Sequence, residues 1–552
     1  MCKPPDTEPL GSARAPRRGL LVLGYQGTLK PDPERLARAR GAAEEMSRAP
    51  KFFLEPLIAS ALQDLNCRIS AEQRGLGGEP IDCGPLVEAL RERLTGILTQ
   101  ALDLDPDATE DKLARQFPAL PALLNGAAAE WVDAVAVFHS RLHRDRSRLA
   151  AWLGEAKLPG LASLTAARSD AHAGGHIVLR LLLRDGRSVC YKPRPVTGEW
   201  LWDRLIHAVN AHSSLRLPSA AALAGANGRY GWVASLLPHT GLQDRQKGSA
   251  HAATYWHGAG ATLCLAAHVR MTDLHMANVM ATCQGPALVD AESLGTPQTV
   301  AATLTRREPE PAIAAILDDL LETGLLPDHS AGDLPDVSGL FGRAAAVPGI
   351  LVPCWSAGPG GARRLQLAPS ALLDHGNAPP GVSPLEVLPL LVDGYREAAA
   401  ALLRCRDTLA SPASEWRRTL EHLHAPRIVL RDTLTYGLLL SESLAPDQLQ
   451  SVRHRRCALH RALRSRSQDT LPEAVLRTEA RSLLELHIPR FMALPGSRRL
   501  AGNSGRALAQ RFLSCSPAEA VLGGIGELSP QRISDVHVPG LLLAVLGQRD
   551  RD

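Results

Sequence analysis

Four side chains in one stretch of this chain, and a lysine upstream of it, are of the types that hold a nucleotide and its metal. The run Asp273-Leu274-His275-Met276-Ala277-Asn278 places an Asp five residues before an Asn, and Asp290 closes the apolar run Pro286-Ala-Leu-Val-Asp290 a dozen residues on. In phosphoryl transfer the first Asp orients the attacking hydroxyl, while an Asn and a second Asp hold magnesium against the phosphates. Those residue types suit the task because Mg²⁺ takes hard oxygen ligands and keeps several waters, so one or two carboxylates and an amide suffice. Upstream, Lys192 ends a strand-like run, where a kinase places the cation that neutralises the α- and β-phosphates. Lysine occurs only seven times in the chain, which makes this one in an apolar stretch conspicuous. The order Lys, Asp-x4-Asn, Asp points to ATP and Mg²⁺ as cofactors. No GxGxxG precedes Lys192, and no His-Arg-Asp or Asp-Phe-Gly string occurs, which argues against a conventional protein kinase. The turn from Ser169 to His176, with Gly174-Gly175, is short, polar and able to form an anion nest instead.

The elements that must position these residues can be read around them. His176 to Arg184 and Arg187 to Lys192 are β-like runs, and Asp185-Gly186 between them suits a two-residue type I′ turn. Gly198 to Asn210 and Ala252 to Val269 read as helices, and Ala42 to Leu161 shows mostly helical spacing. Between about Pro327 and Pro380 the chain is rich in Pro and Gly with few periodic segments, which predicts a long loop system. Leu385 to Leu423 and Pro472 to Leu486 return to helical periodicity, so the last third is expected to be mostly helix. The expected divisions are a tail at 1–40, a helical region at 41–165, a kinase-like core with the ATP and Mg site at 166–325, the Pro/Gly-rich stretch at 326–384 and a mainly helical region at 385–552.

Composition bounds the rest. At 552 residues the chain exceeds the size of one hydrophobic core, and 45% apolar with 21% charged residues excludes a wholly disordered or collagen-like protein. Sixty-one basic against fifty-seven acidic side chains leave a formal charge of +4, which names no nucleic-acid partner. The ten cysteines form no CxxC pair and no zinc-spaced cluster, and no run is long and apolar enough for a signal or a membrane span, so a cytoplasmic, reduced protein is expected.

Taken together, Asp170-x-His172, Tyr191-Lys192-Pro193-Arg194, Thr272-Asp273-Leu274-His275-x-x-Asn278-Val279 and Val289-Asp290-x-Glu292 resemble the dehydratase domain of class II (LanM-type) lanthipeptide synthetases. Asp336-Val-Ser-Gly-Leu340, Asn377-x-Pro379, Arg427-Ile-Val-Leu-Arg431-Asp-Thr433-x-x-Tyr436 and Ile488-Pro489-x-Phe491 fit the same family, over roughly Phe53 to Leu500. The resemblance implies an α+β fold: a lipid-kinase-like two-lobed core, with a β-hairpin-rich N-lobe and a helical C-lobe, and large helical additions at both ends. It implies that ATP phosphorylates Ser or Thr of a ribosomally made precursor peptide bearing a leader, and that phosphate is then eliminated to leave dehydroalanine or dehydrobutyrine. It assigns Asp273, His275, Asn278, Asp290 and Lys192 to phosphorylation, Glu292, Asp170 and His172 to further active-site positions, and Arg427 and Thr433 to elimination. A guanidinium at Arg427 can hold a departing phosphate bidentately. Gly175-His176 and His487-Ile488-Pro489 depart from the Gly-Arg and Asp-Ile-Pro expected there. The chain carries no Cys/Cys/His cyclase cluster, so either a separate cyclase closes the rings or the dehydrated peptide stays uncyclised. Two other readings compete: a small-alcohol kinase of the aminoglycoside or choline kinase type, which has no use for Arg427 and Thr433, and an inactive leader-binding scaffold, which predicts the loss of a metal ligand or the lysine.

Overall fold

The computed structural model describes residues 51–70, 73–76, 79–104, 109–166, 174–235, 248–305, 312–328, 336–342, 345–357, 363–372, 382–431, 433–465 and 471–546. The fold is α+β. Three long helices, α1 (Lys51–Arg68), α2 (Gly84–Leu104) and α3 (Leu120–Trp152), build the N-terminal region. They share one apolar core with a five-stranded antiparallel sheet of β1 (Leu161–Ala166), β2 (Leu179–Leu183), β3 (Ser188–Lys192), β4 (Ala222–Ala224) and β5 (Gly231–Ala234), in the order β1-β2-β3-β5-β4. The join is aromatic. Phe138 of α3 lies 5.2 Å from Tyr191, which lies 5.1 Å from Trp232. Polar atoms on these rings are satisfied from α3: Trp232 Nε1 donates to Asp145 at 2.9 Å and Arg141 donates to the Tyr191 hydroxyl at 2.6 Å.

The structure differs from two local expectations. The sheet already begins at Leu161, inside the stretch expected to be helical. The β2–β3 connection is not a type I′ turn, because Asp185 does not take a positive φ and Gly186 alone does, at 87°. Gly186 N–H bonds Leu183 O and Leu183 N–H bonds Arg187 O, which is a type I turn closed by a glycine bulge.

A second core lies under the site. Helices α4 (Thr197–Ala211), α5 (Gly248–His268) and α6 (Pro384–Ala410) form its centre. α5 and α6 approach so closely that only glycine fits at the crossing: a Cβ on Gly260 would sit 1.9 Å from Leu391 O, and one on Gly394 would sit 1.8 Å from His257 O. Beyond α5 the chain forms the hairpin of β6 (Val279–Thr282) and β7 (Gly285–Leu288).

The Pro/Gly-rich stretch is not only loop. β8 (Ala345–Ala357) and β9 (Arg363–Leu372) pair antiparallel, with a register break between Val347 and Leu351. Pro353 and Pro369 lie within these strands, and a two-stranded ribbon accommodates them because each strand keeps one edge free of ladder bonds.

The last third is helical as read, with α7 (Thr433–Ser443), α8 (Val452–Ser465) and α9 (Glu473–Leu484), but it also contains an unexpected antiparallel sheet. This sheet runs β10 (Arg427–Ile428), β11 (Phe491–Ala493), β12 (Leu500–Gly502) and β13 (Ala507–Ala509). Strands of two or three residues are too short to leave a period-two signature in sequence. Arg431, buried beside β10, is gripped by Glu479 of α9 at 2.8 and 3.2 Å, and Tyr436 of α7 donates to the same carboxylate at 2.7 Å.

Candidate active site

Lys192 ends β3 and is 4% exposed. Its ammonium group donates to Glu199 at 2.8 Å and to Val289 O at 2.7 Å, and it stands 3.7 Å from Asp290 Oδ2. Glu199 sits in the first turn of α4 and also receives Arg194 at 2.7 Å. Burial opposes its charge, yet Arg194 and then Lys192 hold its carboxyl down to about 2. Arg194 reaches across to Asp290 Oδ1 at 2.6 Å and to Glu292 at 3.1 Å.

The opposite wall is the loop after α5. Asp273 takes a left-handed φ of 66°, a conformation that Asp tolerates better than most residues. The loop is clamped from below: Leu274 N–H donates to Thr323 O, Met276 N–H donates to Val337 O, and a Cβ on Gly339 would meet Leu274 O at 2.3 Å. The Asp336-Val-Ser-Gly-Leu340 string is therefore the brace of the Asp273 loop. His275 Nδ1 accepts from Ala277 N–H at 3.2 Å, and its Nε2 lies 3.0 Å from the Asn278 amide nitrogen and 3.6 Å from Asp273 Oδ1. The Asn278 amide nitrogen donates to Asp273 O at 2.8 Å.

Asp273 is buried and its Oδ1 has no hydrogen-bond partner. Burial pushes its carboxyl up to about 7; Arg427 pulls it down, while Glu292 and Asp290 push it further up. A carboxyl in that range is suited to take a proton near neutral pH. Arg427, on β10, donates to Glu292 at 2.8 Å and lies 3.5 Å from Asp273 Oδ2. Its backbone N–H also donates to Glu292 O at 2.8 Å, which fixes β10 against the Asp290 segment. Burial works against the Arg427 charge, but Glu292 and then Asp273 keep it protonated far above the ordinary range.

The structure thus brings together Lys192, Asp273, His275, Asn278, Asp290, Glu292 and Arg427. Asp170 and His172 lie outside the described residues, as do Ser169 to Ala173 of the polar turn and Asn377-x-Pro379. Thr433 opens α7, and its side chain is likewise outside them. Arg194, Glu199 and Arg490 were not singled out by sequence. Glu199 left one signal, an acid in the first helical turn after the Lys192 strand; Arg194 and Arg490 left none beyond their place in the matching strings. His487, one of the departures, pairs with Glu130 of α3 at 2.9 Å, and Arg93 of α2 joins it at 2.8 Å, so this position ties the C-terminal region to the N-terminal helices.

The oxygens present fit Mg²⁺. Asp290 Oδ1 is used by Arg194 and by Glu292 N–H, whereas among the described residues Oδ2 has only the Lys192 ammonium, 3.7 Å away. Asn278 spends its amide nitrogen on Asp273 O and on the His275 ring, and its oxygen takes no hydrogen bond among the described residues. One carboxylate and one amide oxygen suit an ion that keeps waters and shares phosphate oxygens. Among the described residues no group of three His, Cys, Asp or Glu side chains could hold a metal on its own.

Residues 117–493 match the family described as a domain of unknown function, DUF4135. The match covers more than half of the chain, which therefore belongs to that family, one associated with the dehydratase regions of LanM-type lanthipeptide synthetases. No curated protein matches the chain.

Proposed function

We propose that this protein dehydrates Ser and Thr in a ribosomally made precursor peptide, first by ATP-dependent phosphorylation and then by elimination of phosphate. The observation that carries the reading is the contact of Arg427 with both Glu292 and Asp273, which puts a phosphate-holding guanidinium at the carboxylate expected to activate the hydroxyl. In this reading the five-stranded sheet is the small lobe of a lipid-kinase-like core and α5, α6 and their neighbours are the large lobe. ATP is the phosphate donor, the leader-bearing peptide is the partner, and the reaction runs in the cytoplasm. Among the described residues no helix is long and apolar enough to cross a membrane.

Lys192, tied by Glu199 and Val289 O, places its charge beside Asp290, where nucleotide phosphates would lie. Asn278 and Asp290 would hold Mg²⁺, which when bound neutralises charge on those phosphates. Asp273 accepts the hydroxyl proton through its unpartnered Oδ1 as the γ-phosphoryl group transfers, with His275 Nε2 3.6 Å from that oxygen. In the second step Arg427 holds the phosphate as it departs, stabilising charge that grows as the Cβ–O bond breaks.

Incubation with Mg-ATP and a Ser/Thr-rich precursor tests this by stoichiometry. The reading expects one ADP and one inorganic phosphate per dehydrated residue. ADP without free phosphate, with the phosphate kept on the acceptor, would instead favour a plain kinase of the small-alcohol type.

A further inference from the structure

Glu292 is contacted by three guanidinium groups. Arg427 takes Oε1 at 2.8 Å, and Arg194 and Arg490 share Oε2, each at 3.1 Å. Arg194 has other anions to satisfy, since it also bonds Glu199 and Asp290. Arg490 has not. Glu292 is its one ion pair among the described residues, and its Nε is buried without a hydrogen-bond partner. The side chain is 91% buried, at 9% exposure, so water does not make up the deficit.

The small sheet explains how Arg490 comes to lie here. Arg427 pairs with Met492 and Ile428 with Phe491 across β10 and β11. Arg490 directly precedes β11, so this pairing brings it and Arg427 to the same carboxylate, Glu292, which borders Asp273. An unsatisfied buried guanidinium is costly unless an anion completes its bonds. Burial lowers the affinity of Arg490 for its proton, and Glu292 only partly offsets this.

We infer that Arg490 is a further catalytic residue of the elimination step, binding the departing phosphate together with Arg427. This rests on the dehydratase reading above. A basic group takes the Cα proton, the electron pair left behind becomes the Cα=Cβ bond, and the Cβ–O bond breaks with its pair passing to phosphate. A phosphate offers more acceptor oxygens than Glu292 can, so Arg490 Nε–H and Arg427 can both point to it while Glu292 keeps the two arginines in register.

The test uses a synthetic phosphoserine peptide with ADP and Mg²⁺, which bypasses phosphorylation, and compares the full-length wild type with Arg490→Gln and Arg490→Lys. The expected result is elimination slowed about tenfold or more in Arg490→Gln. The lysine variant should recover part of the loss. Inhibition by inorganic phosphate should weaken in the same order. Elimination at the wild-type rate with unchanged phosphate inhibition in Arg490→Gln would overturn the inference and leave the dehydratase reading standing. If the wild type itself leaves the phosphopeptide intact, the dehydratase reading and this inference fall together.

Discussion

Glu199 and Asp273 are carboxyls of equal burial, each 5% exposed, on opposite walls of one site, and they are held in opposite states. Glu199 faces two cations at hydrogen-bond distance and is kept ionised down to about 2. Asp273 has one guanidinium at the edge of reach and two acidic neighbours, and burial takes its carboxyl up to about 7. Burial pushes both upward and so does not separate them. The number of close cations decides which carboxyl is a fixed anion, locking Lys192 in place, and which can exchange a proton in the range where cells work. The first wall grows from the five-stranded sheet and α4; the second is a left-handed loop braced by Ser338–Leu340 and capped by the small sheet.

Breaking the anionic side of the first wall should have the largest effect. Asp290→Asn removes the carboxylate of the nucleotide site and leaves Arg194 with one partner fewer, so peptide phosphorylation should fall by roughly a thousandfold or more. A variant with normal turnover would show that the nucleotide is held elsewhere. Arg427→Ala attacks the contact between the walls. It should leave phosphorylation largely intact and slow elimination by about a hundredfold, so that mass spectrometry finds accumulated phosphopeptide; recovery of only unmodified peptide would contradict the division of labour.

The finest test is the pH dependence of stability. Asp273 binds its proton more tightly when folded, at about 7 against an ordinary 3.8, so its contribution is fully present below pH 4 and is lost as pH rises to about 7. Glu199 runs the other way, at about 2 against an ordinary 4.5, so its contribution is present above pH 4.5 and disappears as pH falls to about 2. Asp273→Asn should therefore melt higher than the wild type at pH 8 and equally at pH 4, whereas Glu199→Gln should be destabilised at pH 8 by about 3 kcal/mol, the cost of leaving buried cations underpaired. Parallel melting curves for both variants across that range would remove the distinction between the two carboxyls.

Lys192, Asp273, His275, Asn278 and Asp290 were legible because their chemistry depends on chain order and on short spacings that one strand end, one loop and one hairpin impose. Arg427 was legible only through resemblance; nothing in its neighbourhood announces a strand of two residues. Arg194 and Arg490 acquire meaning from Glu292, which meets them through tertiary packing, and the β10–β11 pairing that brings the Arg490 segment to Arg427 joins segments far apart in sequence. The β8–β9 ribbon was hidden for another reason. Its prolines and glycines are loop residues by propensity, and only long antiparallel pairing overrides that preference.

The intact mass of a Ser/Thr-rich precursor peptide, from a gene beside that of this protein, taken before and after incubation with the protein and Mg-ATP, addresses the central claim most directly. Successive losses of water, one per modified residue, are the result expected of a site in which Asp273 and Arg427 act in turn. A peptide that gains phosphate and keeps it, or one that is unchanged, would contradict the account.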